Sequence, residues 1–117
     1  FENYIEVVEL SGSATRQLIN FVAKSSRRHP VSGIEIITDK EGALESVNIQ
    51  GQPFDESRNY FVATSDYLVN GGPSVGFFDE IVSRTATDYL LRNAIIDHFK
   101  KVDTLKAVAD ERIKQLD

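Results

Sequence analysis

The sequence has 117 residues, a net charge of −5, 41% hydrophobic residues and no cysteine. This length fits one domain that buries a core without cross-links, and the missing cysteines exclude disulfides, thiolate metal sites and cysteine nucleophiles. The negative charge, with no basic patch among aromatic residues, argues against nucleic-acid binding. No apolar run reaches the ~20 residues that would span a membrane.

The chain is predicted to begin with a strand followed by a helix. β-branched residues favour a strand over Tyr4–Leu10. Ser13 is the predicted N-cap of a helix over residues 14–25, because its side chain can accept a hydrogen bond from a backbone N–H. The spacing of the apolar residues gives this helix one stripe, formed by Ala14, Leu18, Phe21 and Val22.

The middle of the chain is predicted to form antiparallel sheet. Strands over Ile34–Thr38 and Leu44–Ile49 are joined by a turn that ends in Gly42, which predicts a hairpin. Residues 51–57 are predicted to be a connecting loop. An apolar strand then begins at Tyr60.

The stretch 60–72 is predicted to place side chains at the mouth of a strand. Its apolar first residues are followed by Thr-Ser-Asp, which favours a cap or a turn, and then by Tyr67. Gly71 and Gly72 allow close approach of another backbone or of a ligand. A chain that turns sharply after a buried strand is typical of a ligand site.

A second helix is predicted near the C-terminal end. Residues 81–82 fit a short strand, and Thr87 or Asp88 is the predicted cap of a helix that runs to about Lys101. Its apolar face, which is predicted to pack on the core, contains Leu91, Ile95, Phe99 and Val102.

The charged segment 108–116 fits either the end of a helix or a short edge strand through residues 112–113. Strands and helices are about equally represented, and hairpin connections outnumber strand–helix–strand units. The sequence therefore predicts a single α+β domain over residues 1–117, with helices packed on an antiparallel or mixed sheet.

The stretch 60–72 resembles the signature of the C-terminal domain of 5′-nucleotidases. That signature is Tyr-x-Val-Ala-Thr-Asn-Asp-Phe-Leu-x-x-Gly-Gly-Asp-Gly, and most of its positions are matched here. Phe1 and Asn3 resemble the family's Pro-Phe-x-Asn segment, cut just after its proline. Further family motifs are matched by Ser32-Gly33 and by Gly51-x-Pro53, and Asp110-x-Arg112-Ile113 resembles the family's closing Gly-Arg-Ile.

The resemblance implies a layered α/β/β/α sandwich that lacks its first portion, because the family's upstream Asn-Gly-Gly-x-Arg motif is absent. It also implies site residues. In the family two aromatic rings sandwich the base, and here these are Phe1 and Tyr67. An asparagine that hydrogen-bonds the base corresponds to Asn3. Tyrosine stacks about as well as the phenylalanine that the family carries.

The end of the signature departs from the family. The family has Gly-Gly-Asp-Gly, whose aspartate binds ribose hydroxyls, whereas this chain has Gly71, Gly72, Pro73 and Ser74. Proline has neither an acceptor side chain nor an N–H, and Ser74 accepts only a weaker bond. The lost clamp is expected to cost about 1.5–3 kcal/mol. We therefore expect this chain alone to bind nucleotides poorly.

In the family, a separate metallophosphoesterase domain holds two metal ions and hydrolyses the ester. The resemblance thus implies a substrate-binding domain for nucleosides or nucleotides, without cofactor or catalysis of its own, in the periplasm or at the cell surface. His29 and His98 lie in no metal-binding pattern, and we interpret both as having a structural or a solvent-exposed role. The missing first strands would expose sheet edges, which favours pairing of two copies.

Two alternatives stay open at the level of sequence. Pro73 favours a degenerate accessory domain that docks a separate phosphoesterase and has lost nucleotide binding. The identity of the ligand is also open, since a nucleotide sugar, a cyclic nucleotide or another phosphate ester fits the same resemblance.

Overall fold

A computed structural model describes residues 3–25, 29–70, 78, 81–101 and 112–116. These residues form a three-stranded sheet, in the order β5–β1–β6, and a four-stranded sheet, in the order β4–β3–β2–β7. No helix in this part of the chain is long and apolar enough to cross a membrane. The elements are β1 (Tyr4–Leu10), α1 (Gly12–Lys24), β2 (Ile34–Thr38), β3 (Leu44–Ile49), β4 (Gln52–Pro53), β5 (Tyr60–Ser65), α2 (Asp66–Val69), β6 (Ile81–Leu90), α3 (Leu91–Lys101) and β7 (Ile113–Gln115).

Strand β1 is the centre of the first sheet. It pairs antiparallel with β5, from Ile5 opposite Ser65 to Leu10 opposite Tyr60. It also pairs antiparallel with β6, with Val8 opposite Arg84. The first residues of β1 therefore lie beside the last residues of both neighbouring strands.

Helix α1 connects the apolar cores of the two sheets. One core cluster consists of Val8, Leu10, Ala14, Val69 and Phe78. The other consists of Ile19, Val22 and Ile36. Leu18 and Phe21 pack against both clusters. Because Leu18 and Phe21 are only partly buried, each contributes less than the roughly 1.5–3 kcal/mol of a fully buried side chain. Helix α1 thus contacts both sheets through apolar side chains.

Helix α1 begins two residues earlier than predicted. Its N-cap is Ser11, whose Oγ accepts the N–H of Ala14 at 3.1 Å, so the prediction of Ser13 as the cap is wrong. Gly12 is buried in the first turn, and a Cβ there would lie 1.8 Å from the backbone oxygen of Glu56. The glycine thus lets the loop before β5 pack against the helix, which outweighs its low helix propensity.

The predicted hairpin of β2 and β3 is confirmed at both strands. The predicted loop over residues 51–57 differs, because Gln52–Pro53 form the short strand β4. Gln50 and Gly51 have φ values of 52° and 77°, which turn the chain back so that β4 pairs with the end of β3. A proline fits there because β4 lies at the sheet edge.

Strand β6 is much longer than the predicted strand over residues 81–82, and helix α3 starts only at Leu91. The prediction of Thr87 or Asp88 as a helix cap is therefore wrong. Thr87 Oγ1 instead donates to the backbone oxygen of Ile5 at 2.6 Å, across the sheet. Asp88 has a φ of 58°, at the point where the pairing of β1 with β6 shifts register. Pairing with β1 thus keeps Thr87 and Asp88 in strand β6, although both residue types also suit a helix N-cap.

Helix α3 does not pack into the core as predicted. None of its residues is buried, and Ile95 and Phe99 are 52% and 49% exposed. The predicted stripe also includes Val102, which lies outside the described residues. Helical periodicity predicts which face of a helix is apolar, but it does not specify what covers that face.

The edge-strand interpretation of the C-terminal segment is confirmed, because β7 pairs parallel with β2 at the edge of its sheet. Phe78 is buried, and the sequence pattern of two adjacent phenylalanines favours such a core position for Phe77 and Phe78, of which Phe77 lies outside the described residues. The predicted α+β class is confirmed by two sheets with three helices in the described part of the chain.

The position of the α1 cap can be tested with two serine substitutions. Ser11→Ala removes the acceptor for the Ala14 N–H, and we expect it to lower the free energy of unfolding by about 1 kcal/mol. Ser13→Ala is the matched control, and we expect no loss because Ser13 is an exposed residue inside the helix. Urea denaturation measures both. A larger loss for Ser13→Ala than for Ser11→Ala would contradict the assignment.

Candidate functional site

Asn3 and Tyr67, the two predicted site residues within the described part, lie at one end of the first sheet. The pairing of Ile5 with Ser65 places the residues just before β1 beside those just after β5. The backbone N–H of Tyr4 donates to Asp66 Oδ1 at 3.1 Å, which joins the two segments directly. On the other side, the Asn3 carbonyl accepts the N–H of Leu91 at 2.8 Å, so the start of α3 meets the same point.

Tyr67 is carried by α2, a single helical turn that follows β5 without a linker. Ser65 caps this turn by accepting the N–H of Leu68, as the Thr-Ser-Asp sequence predicts, and the N–H of Asn70 donates to the carbonyl of Asp66 at 2.9 Å. Val69 is buried in the core cluster, whereas Tyr67 is 49% exposed. The turn therefore anchors its apolar side and presents a tyrosine ring at the surface.

The other predicted site residues, Phe1, Gly71, Gly72 and Ser74, lie outside the described residues, as does Pro73. The structure therefore brings together Asn3 and the turn with Tyr67. The roles of the remaining residues stay predictions.

An ion pair beneath α2 was not predicted from the sequence. Glu6 lies on the inward face of β1, in line with Val8 and Leu10, and its side chain is only 6% exposed. Both of its carboxylate oxygens accept hydrogen bonds from Arg84 of β6, through Nε and, at 2.8 Å, through Nη2. Nη2 also donates to Asn70 Oδ1 at 2.7 Å. We call these three residues the Glu6–Arg84–Asn70 cluster.

The strand pattern contains the signal for this cluster. Side chains alternate along a strand, so Glu6 must point inward if Val8 and Leu10 do. An inward carboxylate needs a charged partner, because an unpaired buried charge is strongly unfavourable. The partner is supplied by β6, whose full length was not predicted, and this is why the sequence did not identify Arg84.

The two charges in the cluster change each other's proton affinity. The hydrogen bonds from Arg84 hold the pKa of the Glu6 carboxyl below its ordinary value, although burial acts in the opposite direction. The hydrogen bond to Glu6 likewise raises the pKa of Arg84, and the charge of Asp66 adds to this effect. Both groups are therefore charged at neutral pH, and Arg84 lies within the electrostatic reach of the turn that carries Tyr67.

The two histidines differ in their surroundings. His29 Nε2 lies 3.2 Å from Ser25 Oγ, and the ring stacks on Phe21 at a centroid distance of 5.2 Å. His98 lies on an exposed face of α3. Among the described residues, no three His, Asp or Glu side chains are grouped so that they could hold a metal ion.

An open groove of about 470 Å³ lies on helix α1. None of the predicted site residues contributes to it, since its lining consists of Gln17, Asn20, Phe21, Lys24 and Ser25. The candidate site at the end of β1 and β5 is therefore defined by strand pairing and hydrogen bonds, and not by this groove.

Comparison with known proteins gives both a family and a fold. The family model described as 5′-nucleotidase, C-terminal domain matches residues 1–80. No curated protein sequence matches this chain. A solved 5′-nucleotidase precursor from Thermus thermophilus is similar over 97% of this chain and 25% of its own, with 23% identity and a TM-score of 0.80.

Two further solved structures share the fold. A NAD nucleotidase from Haemophilus influenzae has 21% identity and a TM-score of 0.73, over 99% of this chain and 24% of its own. A sulfate thiohydrolase from Thermus thermophilus, in complex with glycerol, has 16% identity and a TM-score of 0.61, over 97% of this chain and 22% of its own. This chain thus spans about a quarter of the length of each of these proteins.

The lowered pKa of Glu6 predicts how stability depends on pH. A carboxyl whose pKa is lower in the folded state stabilises the fold above its unfolded pKa of about 4.3, and this stabilisation is lost as the pH falls through the folded pKa. We expect Glu6→Gln to lower the free energy of unfolding by about 1.5–3 kcal/mol at pH 7. The difference from the wild type should shrink as the pH falls below about 4.

Glu9→Gln is the matched control for this measurement. Glu9 lies on the other face of β1 and bonds the exposed side chains of Asn59 and Ser83, each at 3.0 Å. We expect the change to cost less than about 1 kcal/mol. Denaturation of all three proteins at several pH values tests the prediction, and a pH-independent difference between Glu6→Gln and the wild type would contradict it.

Proposed function

Because this chain belongs to the 5′-nucleotidase C-terminal domain family, we propose that it recognises the nucleoside part of a nucleotide. One observation carries the proposal: the pairing of β1 with β5, reinforced by the hydrogen bond from Tyr4 to Asp66, sets Asn3 beside the turn that carries Tyr67. A flat ring and an amide group at one end of a rigid sheet suit a purine or pyrimidine base, which offers a face for stacking and an edge for hydrogen bonds.

Each residue has a distinct part in this proposal. The half-exposed ring of Tyr67 stacks on one face of the base, and stacking on an aromatic side chain contributes roughly 1–3 kcal/mol per base. Phe1 supplies the second ring, and the side chain of Asn3 bonds the edge of the base. Gly71, Gly72 and Ser74 complete the site next to the ribose.

Hydrolysis of the ester, in this proposed function, takes place outside this domain. A metallophosphoesterase domain or subunit, with a pair of divalent metal ions, would cleave the phosphate ester while this domain holds the nucleoside. The family membership and the larger size of the solved relatives support this division of labour. We propose that the protein works in nucleotide catabolism in the periplasm or at the cell surface, and that two copies can pair through exposed sheet edges.

Two observations favour a second candidate function, an accessory domain that docks a phosphoesterase without binding nucleotide. Pro73 replaces the aspartate that would bind the ribose, and Ser74 is a weaker acceptor. The sulfate thiohydrolase among the solved structures also has this fold, and its name refers to a substrate that is not a nucleotide. Fold similarity by itself therefore does not decide the ligand.

Nucleoside binding can be tested by titrating isotope-labelled protein with adenosine and AMP and following its amide NMR signals. We expect shifts at Asn3, Asp66 and Tyr67, because these residues form the proposed end of the site. Tyr67→Phe should retain the affinity, whereas Tyr67→Ala should weaken it by about five- to 150-fold, which corresponds to loss of one stacking contact.

Phe61→Ala is the control for this titration. Phe61 is an aromatic residue of the preceding strand, 71% exposed and remote from the turn, so the variant should bind like the wild type. No shift at millimolar adenosine or AMP would refute nucleoside binding by this chain. In that case, purification with a metallophosphoesterase whose activity is insensitive to added nucleotide would support the accessory role.

A further inference from the structure

The turn α2 is fixed at both ends by groups from other strands. At its start, Asp66 Oδ1 accepts the N–H of Tyr4 from β1 at 3.1 Å. At its end, Asn70 Oδ1 accepts a hydrogen bond from Arg84 of β6 at 2.7 Å. Tyr67 lies between these two points. All three strands of the first sheet thus contribute to the position of one four-residue turn.

Such a turn needs outside support. A single helical turn is unstable by itself, because it fixes several backbone angles for very few hydrogen bonds. Val69 anchors one side of α2 in the core, but apolar packing is non-directional. Hydrogen bonds depend on direction, so the bonds at Asp66 and Asn70 restrict how the turn can rotate about its buried side.

The bond from Arg84 to Asn70 is not needed to satisfy the buried charge. Glu6 already receives two hydrogen bonds from the planar guanidinium, which is the strongest arrangement for such a pair. Asn70 is exposed, so water could satisfy its side chain equally well. The bond from Arg84 to Asn70 therefore fixes the distance between the Glu6–Arg84 pair in the sheet and the end of α2.

We propose that the Glu6–Arg84–Asn70 cluster is the positioning element for Tyr67, holding its ring at a fixed angle to Asn3 so that a base can stack. Glu6 and Arg84 are positioning residues that act through Asn70 and do not touch the ligand. The effect of the cluster on nucleoside affinity rests on the proposed function. The restraint on the Tyr67 ring does not, because it exists without any nucleotide.

The restraint can be measured without a ligand. The chain contains no tryptophan, so Tyr67→Trp introduces a single fluorescent reporter at the site. The decay of its anisotropy reports how freely the ring moves. In this background we expect Asn70→Ala to lower the residual anisotropy, while Asn70→Asp, which can still accept the bond from Arg84, should retain it.

Arg84→Lys tests the same restraint from the other side. Lysine keeps a positive charge for Glu6, but it lacks the planar fork that reaches two partners at once. We expect this variant to fold and to resemble Asn70→Ala in anisotropy. Asn59→Ala is the matched control, because Asn59 also bonds a carboxylate, that of Glu9 at 3.0 Å, but lies at the opposite end of β5 from α2.

Adenosine titrations of the same variants separate the restraint from the function. We expect Asn70→Ala to weaken binding roughly two- to tenfold, the loss that corresponds to one hydrogen bond, and Asn70→Asp and Asn59→Ala to have little effect. Unchanged anisotropy in both Asn70→Ala and Arg84→Lys overturns the inference, whatever the titration gives. Reduced anisotropy in these two variants, together with no adenosine binding by the parent protein, supports the restraint and refutes the proposed function.

Discussion

The structure of the candidate site depends on the backbone hydrogen bonds of β1. This strand lies between β5 and β6, and it is antiparallel to both. Antiparallel pairing brings the beginning of one strand to the end of the next, so the first residues of β1 meet α2 on one side and the start of α3 on the other. A shift of β1 by one residue would reverse which side chains face the core, including Glu6.

The inward face of β1 combines apolar and charged packing. Val8 and Leu10 are fully buried in the core, while Glu6, one step closer to the site, is paired with Arg84. The pair is half-buried, because the Arg84 side chain is 39% exposed whereas that of Glu6 is 6% exposed. Removing one partner would leave a buried charge or an unsatisfied donor, although the pair as a whole need not stabilise the fold more than an apolar pair would. Its directional bonds nevertheless fix β1 to β6 and α2, which an apolar pair of the same volume would not do. The Glu6 carboxylate thus lies at the end of β1 where directional hydrogen bonds link three elements of the fold.

Local sequence patterns were sufficient for elements whose partners are close in the chain. Strand β1 and the hairpin of β2 and β3 follow from β-branched residues and a glycine turn. The patterns failed where a distant segment decides the conformation. Gly12 lies in the first turn of α1 where the loop at Glu56 packs closely on it, and Thr87 belongs to a strand that pairs with β1, where the Ile5 carbonyl accepts its hydroxyl. For the site, Asn3 and Tyr67 came from family resemblance, whereas Arg84 required knowledge of the strand register.

The hydrogen bonds that build the end of the first sheet are separate from the residues that we propose to contact a ligand. The sheet end is built from backbone pairing and from contacts of Tyr4, Asp66 and Arg84, none of which requires a particular ligand. The proposed ligand contacts lie instead on a short turn and on residues that flank the strands. The backbone pairing of β1 therefore does not depend on the side chains that we propose to contact the ligand. A sulfate thiohydrolase shares this fold at 16% identity, so the fold by itself does not identify the ligand of this chain.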